Sequence, residues 1–266
     1  MKIREIINYL EYRFPRLDAE DFDKMRIGLS IGSLEKEVTN VMLALDLTEE
    51  VLQDAIERNC NLIITHHPFI WDPYYKFIFE DYKTQMIKVL LDKEISVYSM
   101  HTNLDVANGG VNDTLAEMLG ISEIKSYPIN LESNKGVFLR YGKIEPTKYS
   151  DFIENVKMIF NLTGVRYIGD LSEVIESVGI IGGAGGGIGE LNDAINLNLD
   201  CYITGEVRLN CAQYAYAKKL NIIEVNHGVE KFVFQSLIEE FIKEFKEKME
   251  GCFYITKYDT DPFKTK

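Results

Sequence analysis

The sequence predicts an α/β protein of two lobes, each with a central mixed or parallel sheet flanked by helices. Three observations carry this. Short apolar runs alternate with amphipathic helical stretches along nearly the whole chain, the rhythm of βα units. The length of 266 residues is long for one simple core and suits two. Chemistry-bearing polar residues stand directly after the apolar runs, at the strand ends where parallel sheets bind ligands.

Taken in order, Ile3, Ile6, Ile7 and Leu10 recur at helical spacing, so Lys2 to Arg13 forms an amphipathic helix that Pro15 ends. Ile27 to Gly32 alternates apolar and small residues, as a strand running into a turn does. Val38 to Leu45 is a second strand with Asp46 at its end, and Thr48 caps a helix through Val51, Leu52, Ala55 and Ile56. Leu62 to Thr65 is a buried strand that delivers His66, His67 and Pro68. An aromatic loop from Phe69 to Phe79 follows, with the only tryptophan, Trp71. A helix through Met86 and Leu90 leads to the strand Ile95 to Met100, which ends in His101-Thr102-Asn103-Leu104-Asp105. Gly109 and Gly110 break the chain before a helix from Asn112 to Leu119.

The second lobe is expected over residues 123–227, and the first over 1–122 with 228–266. In the second, Gly136 to Ile144 and Val174 to Ile181 read as strands, and Tyr149 to Phe160 as a helix. The run from Gly182 to Gly189 opens another helix. Cys201 to Thr204 is a strand ending in Gly205-Glu206, followed by a helix with Ala212, Ala215 and Leu220 on one face. Asn221 to Val225 delivers His227-Gly228-Val229-Glu230. A long helix from Phe232 to Met249 and a strand from Cys252 to Tyr258 complete the chain.

Composition narrows function. A formal charge of −13, from 29 basic and 42 acidic residues, opposes strong nucleic-acid binding, which needs Lys and Arg on phosphates. It leaves room for a small phosphorylated substrate met by bound cations. The four cysteines are widely spaced with no CxxC pair, which disfavours a thiolate zinc site or a disulfide framework and suits a reducing, cytoplasmic compartment. No apolar run reaches the ~20 residues of a membrane span.

All four histidines follow a predicted strand. Asp105 lies four residues after His101, and Glu230 three after His227. One histidine after a strand is more often a hydrogen-bonded structural residue. Four of them, two with a carboxylate close behind, point to metal. Imidazole and carboxylate without sulfur suit Zn, Fe, Mn, Co or Ni. Consecutive side chains on extended backbone alternate, and Pro68 favours extended His67, so the two imidazoles are expected to diverge and serve two neighbouring ions. Two ions ~3.5–4 Å apart, bridged by Asp105 or Glu230, make a hydrolytic pair. The glycine run fits no GxGxxG register, and no P-loop occurs. It reads as a tight strand-to-helix turn or as an anion cradle of backbone N–H groups.

The pieces Ile27-Gly28-Leu29, Ala44-Leu45-Asp46-Leu47-Thr48, Thr65-His66-His67-Pro68, His101-Thr102-Asn103-Leu104-Asp105, Gly182-Gly183-Ala184-Gly185, Tyr202-Ile203-Thr204-Gly205-Glu206 and His227-Gly228-Val229-Glu230 stand in one order along nearly the whole chain. Together they resemble the NGG-interacting-factor-three family, whose bacterial members are also called GTP cyclohydrolase 1 type 2 homologues. The resemblance implies a two-lobed fold with two divalent ions per subunit between the lobes, and a toroidal homohexamer. It implies His66, His67, Asp105, His227 and Glu230 as metal ligands, with His101 at the site as a ligand or a catalytic proton carrier. Where the family commonly has an aspartate and a later histidine, this chain has Glu206 and Asn210. The implied activity is metal-dependent hydrolysis, with GTP, its purine ring opened, as substrate. The alternatives are a nucleotide phosphoesterase and a non-catalytic metal-binding assembly acting through partners.

Overall fold

A computed structural model describes residues 1–128 and 132–264. The chain runs through α1 (Ile3–Arg13), β1 (Gly28–Ile31), β2 (Asn40–Ala44), α2 (Glu49–Glu57), β3 (Cys60–Thr65), α3 (Tyr82–Asp92), β4 (Ser96–Ser99) and the single turn α4 (Thr102–Asp105). It continues with α5 (Val111–Met118), β5 (Ser122–Tyr127), β6 (Leu139–Lys148), α6 (Tyr149–Ile159), β7 (Arg166–Ile168), β8 (Val174–Ile181), α7 (Ile188–Asn196), β9 (Cys201–Thr204), α8 (Leu209–Ala217) and β10 (Asn221–Glu224). A 3-10 turn over His227–Phe232 leads into α9 (Val233–Phe245) and β11 (Phe253–Ile255).

Two compact units result. The first holds Met1–Leu104 and Phe234–Thr260, the second Asp105–Val233 and the segment from Asp261 on. The divisions fall at 104/105 and 233/234, where 122/123 and 227/228 were expected. The reason is packing: α5 lies on β6, β8 and the His227–Phe232 turn, which draws all of them into the second unit.

The first unit is built on a five-stranded sheet in the order β1-β4-β3-β2-β11. β4, β3, β2 and β11 are parallel, and only the edge strand β1 runs antiparallel. Met42, Ile63 and Val97 of the strands are sealed by Val51, Leu52 and Ala55 of α2 and by Met86 and Leu90 of α3. Thr48 caps α2 as the sequence suggests, its Oγ1 accepting from the Val51 N–H at 3.3 Å. Asp81 does the same for α3 at Thr84, 2.9 Å. The apolar stripe of α1 is buried, and Tyr9 packs edge-on against Phe241 and Phe245 of α9 while donating to Glu240 at 2.6 Å.

Asp54 pins the end of β11 to α2. Its carboxylate is 1% exposed and accepts from Arg58 Nε (3.0 Å), Thr256 Oγ1 (3.1 Å) and the Lys257 N–H (3.2 Å). Burial alone would raise its pKa, but these donors prevail and hold it below the ordinary aspartate value. The unfolded chain therefore binds the proton more readily than the folded one. The contribution is fully present above the unfolded pKa of about 3.9 and is lost as pH falls through the folded value. Asp54→Asn is expected to lower unfolding free energy by about 1–3 kcal/mol at pH 7. Urea titrations should show that gap closing in acid, and a gap unchanged down to pH 2 would refute the assignment.

The second unit carries a six-stranded sheet in the order β5-β6-β8-β9-β10-β7. β8, β9 and β10 are parallel, and β5, β6 and β7 add antiparallel margins. Both sheets are thus mixed: the first has one antiparallel edge, β1, and the second has antiparallel strands at both margins. Leu139, Ile181, Tyr202 and Ile222 pack on Leu191 and Ala194 of α7 and on Cys211 and Ala215 of α8. Leu220, read as part of the α8 face, stands beyond the helix end, before β10. Arg140 is 1% exposed: it pairs with Asp113 and donates to the carbonyls of Val137 (2.6 Å) and Val106 (2.9 Å).

The buried cysteines Cys60, Cys201 and Cys211 and the exposed Cys252 are all free thiols. Among the described residues no helix is long and apolar enough to cross a membrane.

Candidate metal centre

Strand register aligns the pieces of the first unit's site. Ala44 pairs with Thr65, and Thr65 with Ser99, so β2, β3 and β4 end level. The residues just beyond, Asp46, His66-His67 and His101, therefore share one edge of the sheet. The His66 and His67 N–H groups continue the ladder to the carbonyls of Ala44 (3.2 Å) and Leu45 (3.0 Å). Thr65 Oγ1 donates to the His67 carbonyl at 2.8 Å, curling the chain as it leaves the strand.

That curl changes one expectation. The rings of His66 and His67 do not diverge; their centroids are 4.9 Å apart. His101 closes a triangle, at 5.2 Å from His66 and 5.6 Å from His67. Each imidazole offers a nitrogen within 4.8 Å of the others, a spacing that suits one shared ion or two adjacent ones. His66 is fully buried, and His67 and His101 are partly so.

Carboxylates set the histidines. His67 Nδ1 meets Asp46 Oδ1 at 2.7 Å, and His101 Nδ1 meets Asp23 Oδ1 at 2.9 Å. A carboxylate on Nδ1 fixes the proton there and makes Nε2 the basic, ligand-donating nitrogen, the usual support for a metal-binding imidazole. Burial would raise the pKa of both aspartates. For Asp46, the bond and charge of His67, with Thr260 and the charge of His66, outweigh it; for Asp23, those of His101 with Thr102 do. Both stay below the ordinary aspartate value. Asp23 is 0% exposed and also accepts from the Thr102 N–H (3.0 Å) and Oγ1 (2.7 Å).

The second unit assembles its own group by the same logic. Ile181 pairs with Thr204, and Thr204 with Glu224, so the glycine turn, Gly205-Glu206 and Asn226-His227 share an edge. His227 Nδ1 meets Glu206 Oε1 at 2.6 Å, and its Nε2 lies 3.2 Å from Glu230 Oε2. A glutamate thus takes the place on His227 Nδ1 that aspartates take on His67 and His101. Asp105 and Glu230 are both buried, each with a carboxylate oxygen within 4.8 Å of the other's. Two buried carboxylates this close repel, and a cation relieves that. Asn226, with φ +74° and ψ 149°, holds a backbone region almost reserved for glycine, directly before His227.

Asn112 fixes the rear of this group: its Nδ2 donates to the Asp105 carbonyl (3.1 Å), and its Oδ1 accepts from the Gly182 N–H (2.7 Å). Gly183 has φ +59°, and a Cβ there would overlap Glu230 and come to 3.1 Å from His227 Nε2. The glycine run is therefore a close-packed turn seated against two ligand candidates. Asp23, Asp46, Glu206 and Asn112 were not predicted as working residues. For Asp46 and Glu206 the signal was present, an acid just past a strand that neighbours a histidine-bearing one. Asp23 and Asn112 sit on a loop and a helix with no such signal.

Over residues 1–262 the chain matches the model of the Duf34/NIF3 (NGG1p interacting factor 3) family. It is 34% identical to a Clostridium perfringens protein named GTP cyclohydrolase 1 type 2 homolog, over 99% of each chain. In structure it is similar to a Bacillus cereus protein related to NIF3, at TM-score 0.91 and 25% identity, covering 100% of this chain and 99% of that one. A Staphylococcus aureus hypothetical protein matches with TM-score 0.91 at 29% identity and the same coverage.

Proposed function

Because this chain belongs to the Duf34/NIF3 (NGG1p interacting factor 3) family, we propose that it is a dinuclear metal-dependent hydrolase. His66, His67, Asp105, His227 and Glu230 would hold two divalent ions of the Zn, Fe, Mn, Co or Ni type. The observation that carries this reading is that three imidazoles each have a carboxylate on Nδ1, while two buried carboxylates face each other. When bound, such ions supply Lewis acidity and lower the pKa of a coordinated water to about 7.

The chain's own residues do the rest. Asp46 and Glu206 hold the imidazoles of His67 and His227 in the donating tautomer. Asp23, pinned by Thr102, orients His101 through Nδ1 and leaves its Nε2 as the atom that would carry a proton. The substrate proposed is a nucleotide, GTP by the name its relatives carry, with the purine ring opened by water. The compartment proposed is the cytoplasm, in keeping with the free thiols. A closed homohexamer is also proposed, and the exposed Tyr75, Phe77, Ile78 and Phe79 supply apolar surface that an assembly would bury. Sedimentation as a monomer at micromolar concentration would remove the assembly from the proposal.

Elemental analysis, followed by incubation with GTP and a panel of nucleotide phosphoesters, tests the activity. His101→Ala is expected to keep most of the metal and lose at least about a hundredfold in kcat, the usual scale for a general acid–base. Loss of metal along with activity would make His101 a ligand instead. Release of phosphate without ring opening would identify a phosphoesterase. Two bound ions with no turnover of any compound would make the protein a metal-binding assembly.

A further inference from the structure

His101 has a second neighbour besides Asp23. The ring of Trp71 stands edge-on to it, centroids 5.6 Å apart and planes at 77°. Trp71 is the only tryptophan of the chain and remains 42% exposed. Its position is fixed by Arg26, whose guanidinium lies over the indole at 4.2 Å from the ring centroid. The same side chain donates from Nε to the Trp71 carbonyl (2.7 Å) and from Nη1 to the Phe22 carbonyl (2.8 Å). Phe22, itself half exposed, sits 6.3 Å from the indole. An indole that serves only to pack is usually far more buried than this one. Here a large aromatic is held rigidly, left partly open to water, and set beside a histidine–aspartate pair. A planar ring can stack on such a surface whatever its substituents, since every nucleobase presents a π face.

We propose that Trp71 is the stacking platform for a planar heteroaromatic ring of the nucleobase class, with Arg26 fixing its pose so that the bound ring's edge is presented to His101. This deepens the hydrolase reading and rests on it for the role of His101, while the binding step can be tested by itself.

Being the sole tryptophan, Trp71 reports its own occupancy. Guanosine and adenosine are expected to quench its emission saturably in the full-length, metal-loaded protein, whereas ribose 5-phosphate, which lacks the ring, leaves it unchanged. By calorimetry, Trp71→Leu should weaken guanosine binding about tenfold, the scale of one lost stacking contact. Trp71→Phe should restore affinity to within about threefold of wild type. Trp71 is partly exposed, so thermal melts should be little changed; if the leucine variant misfolds, the wild-type emission and the phenylalanine variant decide. Quenching by ribose 5-phosphate equal to that by guanosine overturns the platform. So does undiminished guanosine affinity in Trp71→Leu, or no response to either nucleoside at millimolar concentration. Ring-dependent binding without turnover of GTP or of any phosphoester in the panel leaves the platform standing and removes the hydrolase. GTP turnover that Trp71→Leu does not alter keeps the hydrolase and removes the platform.

Discussion

Asp105→Ala protein should emerge from purification with well under one metal ion per chain, where two are proposed for the wild type, and without the proposed hydrolytic activity. Asp105 and Glu230 are buried carboxylates with oxygens within 4.8 Å of each other, and two neighbouring divalent cations would need both negative charges. Removing one leaves Glu230 to neutralise four positive charges with imidazoles that carry none. The metal-stripped state should respond in the opposite sense. There the substitution relieves repulsion between the two carboxylates, so the melting temperature of the stripped variant is expected to equal or exceed that of stripped wild type. Elemental analysis and calorimetric melts of both forms make the test. Two ions retained by Asp105→Ala would show that the ligand set is wrong, and a large drop in the stripped melting temperature would make Asp105 a structural residue.

The second large effect concerns Arg140. Its side chain is among the largest that are fully buried in the described residues, and its guanidinium joins Asp113 to the carbonyls of Val106 and Val137. Arg140→Ala strands a carboxylate and two carbonyls, which is expected to cost about 3–5 kcal/mol of unfolding free energy. Arg140→Lys should recover only part of this, because a single ammonium cannot reproduce the planar fork. Val106 directly follows Asp105, so metal affinity should fall in both variants even where they remain folded. Urea unfolding followed by circular dichroism measures the first effect. A loss below about 1 kcal/mol would mean the pair contributes little beyond its own desolvation.

Much of this fold was legible because its signals are local and periodic. The stripe of Ile3, Ile6, Ile7 and Leu10 could only be a buried helical face, and Cys201 to Thr204 has the bounds read from its apolar run. Two strands were missed. β5 reads Ser-Glu-Ile-Lys-Ser-Tyr and is largely exposed, while β7 has three residues and no alternation to detect. β7 is an edge strand fixed by tertiary contact with β10, beside which the Tyr149 hydroxyl donates to the Ile222 carbonyl at 2.7 Å. The histidines were found because they end strands, and strand ends follow from periodicity. Their orientation was not, since the turn of the chain at Thr65 depends on a side-chain-to-backbone hydrogen bond that no pattern of apolar residues encodes. Asp23 lay furthest from reach: 78 residues separate it from His101, and only the folded chain brings them together.

The nesting of the two units bears on how the protein is made. The second unit is nearly continuous, from Asp105 to Val233, while the first needs both ends of the chain. On the ribosome the strands β1 to β4 emerge early, yet β2 stays an open sheet edge until Phe253–Ile255 arrive as β11. The stripe of α1 likewise waits for Phe241 and Phe245. A nascent chain halted after Val233 would thus carry all of the second unit but the segment from Asp261 on, together with an exposed edge strand and an uncovered apolar helix, the surfaces that invite aggregation. The histidine triangle stands at the end of that same sheet, so the sheet that carries it closes only when β11 takes its place along β2.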